Sequence, residues 1–184
     1  MRASGLLSSV KARLHPLDLP RPVSAKIFSL AHATEDADKV IRAILNICPT
    51  DTVPKVRTTK VKGHYGNPIV TIQLVLAGSP RVERLFDHLW KNLLDSDKSH
   101  LYQSVESQLD KSGVLHIRID KQSALRGIIL MKEDDPIKVE ILFRRGDRQQ
   151  STADQVKKTM DLLSKIWPRH CVPRKSSDGN VAIY

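Results

Sequence analysis

Val114-Leu115-His116-Ile117-Arg118-Ile119-Asp120 is the stretch on which the fold turns. Leu115, Ile117 and Ile119 alternate with His116, Arg118 and Asp120. Successive side chains of a strand point to opposite faces, so a strict period of two means one packed face and one polar face. Residues 137–143 repeat the arrangement. Ile137, Val139, Ile141 and Phe143 share one side, and Lys138 and Glu140 the other. One-sided burial is the habit of antiparallel sheets. The pattern predicts an α+β fold: a two-layer sandwich with a mostly antiparallel sheet and helices on one face. The other face is left to solvent or a ligand.

Working outward, residues 23–32, 53–62 and 69–76 read as further strands, the last two as a hairpin. Thr34 is read as the cap of a helix with Glu35, Asp36 and Asp38 in its first turn, where negative charge suits the helix dipole. Val40, Ile41, Ile44 and Leu45 give that helix an apolar stripe, and Pro49 ends it. Gly78-Ser79-Pro80 opens a second helix running to residue 94, with Val82, Leu85, Phe86, Leu89 and Leu93 on one side. A shorter, more polar helix follows over 98–109. Residues 151–167 read as a C-terminal helical extension, with Val156, Met160, Leu163 and Trp167 as a packing stripe. The organisation expected is a basic N-terminal arm at 1–22, an α/β core at 23–143, and a basic helix and tail at 144–184. Pro16, Pro20 and Pro22 set the arm apart. Its Leu6, Val10 and Leu14 beside Arg2, Lys11 and Arg13 suit a basic arm, a targeting segment or a mis-set start codon alike.

Charge points to the partner. The 184 residues carry a net charge of +10, of which +3 lies in residues 1–22, +2 in 23–143 and +5 in 144–184. Both ends share the basic bias, which suits a polyanion such as RNA or DNA, although basic ends can also be plain solvated tails. No run of apolar residues is long enough for a membrane-spanning helix. The two cysteines, Cys48 and Cys171, make neither a disulfide scaffold nor a metal site. Cys48 ends an apolar helix pattern and reads as a buried thiol, which suits a reducing cytoplasm. There is no P-loop, no dinucleotide fingerprint and no Ser or Cys beside a His in a nucleophile pattern. No cofactor, metal or catalytic residue is expected.

The candidate binding residues fall in two segments. Gly63-His64-Tyr65-Gly66-Asn67-Pro68 packs a chain reversal into six residues and calls for φ > 0 at Gly66. Its His64, Tyr65 and Asn67, with Lys60 and Lys62 on the preceding strand, offer a stacking ring, exposed amides and cations to a phosphate-and-base ligand. His64 can equally tie the loop by bonding a carbonyl. The second segment places Arg118 on the polar strand face, then Lys121, Gln122 and Arg126 at the strand end. Arg and Lys bind phosphate, and Gln reads a base edge or a ribose hydroxyl. A surface ion pair of Asp120 with Lys121 or Arg118 is the plainer alternative. Arg144 and Arg145 open the basic C-terminal segment. His32 reads as structural, and Glu133-Asp134-Asp135 as a turn into a strand.

His32-Ala33-Thr34-Glu35-Asp36, the Gly63–Pro68 loop, Arg118-Ile119-Asp120-Lys121-Gln122 and Asp134-Asp135 occur in that order. Together they resemble a family of archaeal RNA-binding proteins described as exosome-subunit-like. That family is similar in fold to the large-subunit ribosomal protein that binds 5S rRNA. The resemblance covers residues 23–143. It implies a non-catalytic RNA-binding core, an accessory factor of RNA processing or degradation or of ribosomal RNA. RNA is the implied partner, with exosome or ribosome components beside it. Two alternatives stay open. One is an enzyme on a phosphate-containing substrate, with His64 as acid–base and Asp120 and Lys121 as partners. The other is an interaction module that docks through the C-terminal helix.

Overall fold

A computed structural model describes residues 20–51, 55–63, 66–144 and 150–166. Five strands, β1 (Arg21–Ala31), β2 (Val56–Lys62), β3 (Pro68–Ala77), β4 (Val114–Ile119) and β5 (Ile137–Arg144), form one sheet in the order β2-β3-β1-β5-β4. All four pairings are antiparallel. Helices α1 (Ala37–Asn46), α2 (Ser79–Asn92), α3 (Asp95–Gln108), α4 (Lys121–Leu125) and α5 (Thr152–Ile166) complete the second layer. The expected two-layer α+β architecture is the one observed.

The alternation works as its physics demands. Leu115, Ile117, Ile119, Val139 and Ile141 are all buried. They face the same side as Ala25, Ile27, Ile72, Leu74 and Leu76. Against that side pack Val40, Ala43 and Ile44 of α1 and Val82, Leu85, Phe86 and Leu89 of α2. Phe86 meets Phe143 edge to face, with ring centres 5.4 Å apart and planes at 83°. The helix read as an extension belongs to this same core: Val156, Met160 and Leu163 of α5 are buried with it.

Several boundaries differ from the sequence reading. β1 begins at Arg21, two residues earlier, because a register shift between Pro22 and Ser24 lets the strand run past its proline. The cap of α1 is Asp36, not Thr34. Its carboxylate accepts the Asp38 and Lys39 amides, while a turn with Glu35 N–H donating to His32 O delays the helix start. α2 ends at Asn92 and α3 starts at Asp95, since Leu93 and Leu94 are extended. The short α4 was not expected at all. Asp120 caps it, accepting the Ser123 amide.

The two sheet edges differ. Beside β4, Ile119 bridges Met131 and Leu115 bridges Leu109. Beside β2 no further strand pairs, among the described residues.

Candidate nucleic-acid interface

The Gly63–Pro68 loop closes the β2–β3 hairpin. Gly63 N–H donates to Asn67 O at 2.8 Å, and Gly66 N–H donates to Gly63 O at 2.9 Å. Gly66 sits at φ 77°, as the spacing required, and no atom lies within 4 Å of the position a Cβ would take. Backbone angle, not crowding, selects glycine there. Asn67 is exposed. His64 and Tyr65 lie outside the described residues. Lys60 and Lys62 are exposed, but their register partners Val70 and Pro68 put them on the side of Ile72 and Leu74. Arg118 belongs to the opposite side, so the two lysines and Arg118 do not share a face.

The second segment separates too. Lys121 was expected at the surface and is buried, its side chain only 6 % exposed. Its ammonium donates to Leu30 O (2.7 Å), both Glu35 carboxylate oxygens (3.0 and 3.2 Å) and Asp135 Oδ2 (2.6 Å). Asp135 also faces His32 Nε2 at 3.4 Å, and Glu35 accepts the His32 amide. One ammonium thereby ties the end of β1, the approach to α1, the start of α4 and the turn into β5. Asp135 reaches it from φ 44°, a left-handed conformation that Asp tolerates better than most residues. Partial desolvation works to raise the Asp135 carboxyl, but the bond and charge of Lys121, helped by His32, hold it below the usual carboxylate range. His32, Glu35 and Asp135 present ligand-type atoms within 4.8 Å of one another, and the Lys121 ammonium already serves as their cation. With every proton donated to these acceptors, Lys121 has none to offer a phosphate. Lys121, read from the sequence as an RNA contact, is the centre of a buried clasp in this structure.

Asp120 points elsewhere. Its Oδ2 accepts Ser123 N–H (2.8 Å) and Oγ–H (2.7 Å), and its Oδ1 faces Lys132 at 3.3 Å. Desolvation opposes the ionised form, but these donors prevail and its pKa is lowered. Asp120 and Lys121 thus serve separate networks. Gln122 is exposed beside a cleft of about 330 Å³ that Thr34, Asp36 and Lys39 also line. Arg126 is exposed at the C-cap of α4, and Arg144 is exposed at the end of β5, opposite Arg21. Arg145 lies outside the described residues. Cys48 is buried as expected, and burial pushes its thiol up to about 12, so it is inert.

What the structure does assemble lies on the side of the sheet that carries no helix among the described residues. Register places Arg57, Gln73, Phe28, Lys138 and Arg118 in one row across all five strands. Lys26, Glu140 and His116 form the next row. Arg118 pairs with Glu133 at 3.1 Å, and Lys26 approaches Glu140 at 3.9 Å. Lys138 and Arg57 meet no carboxylate among the described residues. Sequence reasoning named Arg118 from this face and did not single out Phe28, Lys26, Lys138 and Arg57, which share it. The signal was present: Lys26 and Phe28 occupy the non-core phase of β1.

An antiparallel sheet covered by helices on one side and, among the described residues, bearing cations on the other defines an α+β scaffold. The chain belongs to the RNA-binding family, whose model matches residues 24–143. RNA-binding protein PAB1135 of Pyrococcus abyssi is 31% identical over 115 residues, covering 61% of this chain and 75% of that protein. Protein AF2318 of Archaeglobus fulgidus, a DUF54 structure, is 28% identical, with a TM-score of 0.63 over 78% of this chain and 99% of that one. SSO0741 of Sulfolobus solfataricus, also DUF54, is 26% identical, with a TM-score of 0.60 over 76% and 98%.

Proposed function

We propose that this protein binds RNA without acting on it chemically, as an accessory factor of RNA processing or degradation, exosome-like, or of ribosomal RNA. The observation that carries the reading is the helix-free sheet face, where Lys138 and Arg57 stand without carboxylate partners. Cations held exposed and unpaired on a rigid sheet suit the phosphates of a polyanion. Membership of the RNA-binding family supports the same partner. The non-catalytic half rests on Asp120 and Lys121, both consumed by structural bonds. The α5 stripe is spent on the core, which weakens docking through that face of the helix.

The test is a salt titration of RNA binding by the full chain, with crosslinking in cells and sequencing of the bound RNA. Binding that weakens linearly in log salt, with enrichment of ribosomal or exosome-processed RNA, is the expected result. No binding at low salt overturns the reading.

A further inference from the structure

Phe28 stands on the side of the central strand that no helix covers among the described residues. Of the three phenylalanines, Phe86 and Phe143 pack together in the core, and Phe28 alone faces the other way. Its ring is flanked by two ammonium groups, Lys26 Nζ at 4.8 Å and Lys138 Nζ at 5.4 Å from the ring centre. Around it the same face leaves apolar carbon in solvent: Leu30 is 39 % exposed, Val61 51 % and Val75 52 %. The core has no use for this ring.

We propose that Phe28 is a stacking platform for an unpaired base of single-stranded RNA, with Lys26, Lys138 and Arg57 taking the flanking phosphates. The proposal rests on the RNA-binding reading above and names the class of RNA. Phe28 is half-buried. Every base has a π-face, so a ring on the sheet surface accepts one whatever its identity, while the backbone needs cations nearby. The two ammonium groups over Phe28 are held only by cation–π attraction and, for Lys26, by a loose pair with Glu140 at 3.9 Å. Both interactions are weak at an exposed site. An arriving base takes the ring face, and each displaced ammonium turns to a phosphate, exchanging a weak contact for a charge-assisted bond. The row from Arg57 to Arg118 crosses five strands, about 19 Å at the usual strand spacing, which is room for a short run of nucleotides. An RNA duplex keeps its bases paired inside and has none to offer. An apolar protein partner would bury Lys138 and Arg57 without a counter-charge, which is costly.

The experiment uses the full chain and fluorescence anisotropy at fixed salt. The probes are an oligouridylate, a ribose-phosphate strand of the same length with abasic sites, and an RNA duplex. The variants are Phe28→Leu, which keeps the site apolar, and Phe28→Trp, which keeps a ring. Thermal melts confirm that both fold. Removing one stacked base typically weakens binding roughly 5- to 140-fold. Phe28→Leu is expected to lose that factor on oligouridylate and to bind the abasic strand like wild type. Phe28→Trp is expected to retain wild-type affinity. Binding of oligouridylate by Phe28→Leu at wild-type strength overturns the stacking site while leaving RNA binding in place. So does wild-type preference for the duplex. No binding of any probe by wild type removes both readings.

Discussion

Lys121 shows at the residue scale how little of a side chain's surroundings is written in its own segment. A lysine at a strand end reads as a surface cation, because nothing local reveals what will surround it. The acceptors that bury it, Leu30 O, Glu35 and Asp135, come from three other places in the chain. Phe28 was legible by phase, since it shares the non-core side of β1 with Lys26, but its neighbours Lys138 and Arg57 come from other strands and are set by register. Gly66 was legible because φ > 0 is a local demand. Lys121→Met should lower stability by about 1–3 kcal/mol, since Leu30 O loses a buried donor and two carboxylates lose their cation. Paired melts of wild type and variant check this, and an unchanged Tm would remove the clasp. Gly113 sits at φ 85°, where a Cβ would lie 2.9 Å from Phe143 O. Gly113→Ala should therefore cost about 1–3 kcal/mol, whereas Gly66→Ala meets no atom and carries only the backbone term. Acid should act through Asp120 and Asp135. Both carboxyls are held below their ordinary 3.8, so their contribution is complete above that value and is lost as pH falls through the lowered folded values. The Tm should drop from about pH 4 downward, and Asp120→Asn should flatten that drop.

Strands were the most legible elements because burial on one face writes a period of two directly into the sequence. His116 and Arg118 could not face the helices without reversing every apolar neighbour. Helix ends were less legible. Thr34 and Asp36 are both good caps, and the choice between them was made by the His32–Glu35 turn, which tertiary contacts to Lys121 hold in place. α4 has five residues and no periodicity to read; only the Asp120 and Ser123 spacing announces it. α5 was legible as a helix but not as core. Its apolar stripe states that something is covered, not what covers it. The test is Met160→Ala, which removes a fully buried side chain shared with α3 and the rest of the core. The expected cost is about 2–5 kcal/mol, read by denaturant titration. A cost near zero would mean that α5 detaches without consequence.

For the whole molecule the question is how charge is divided between a body of residues 20–166 and the segments on either side of it. Residues 1–19 and 167–184 together hold six Lys and Arg against two acids, leaving residues 20–166 with a net charge of +6. The body therefore keeps most of the charge, and its open face keeps cations without partners. A division at residue 143 would confuse the two contributions, because it removes α5, whose Val156, Met160 and Leu163 are part of the core, from its contacts with α2 and α3. The sound comparison is the full chain against a chain of residues 20–166. For a single strand each neutralised phosphate contributes about −0.7 to the slope of log affinity against log salt. If two to four of the six terminal cations reach phosphates, the shortened chain should lose about 1.4–2.8 of slope. It should still bind, since Arg57, Lys138 and Phe28 remain. Phe28→Leu in either chain should weaken binding by the same factor and leave the slope unchanged, because a stacked base releases no counterions. A shortened chain with the full slope would exclude the ends from the contact. A Phe28 effect that disappears with the ends would mean that the terminal segments, not the sheet, hold the RNA.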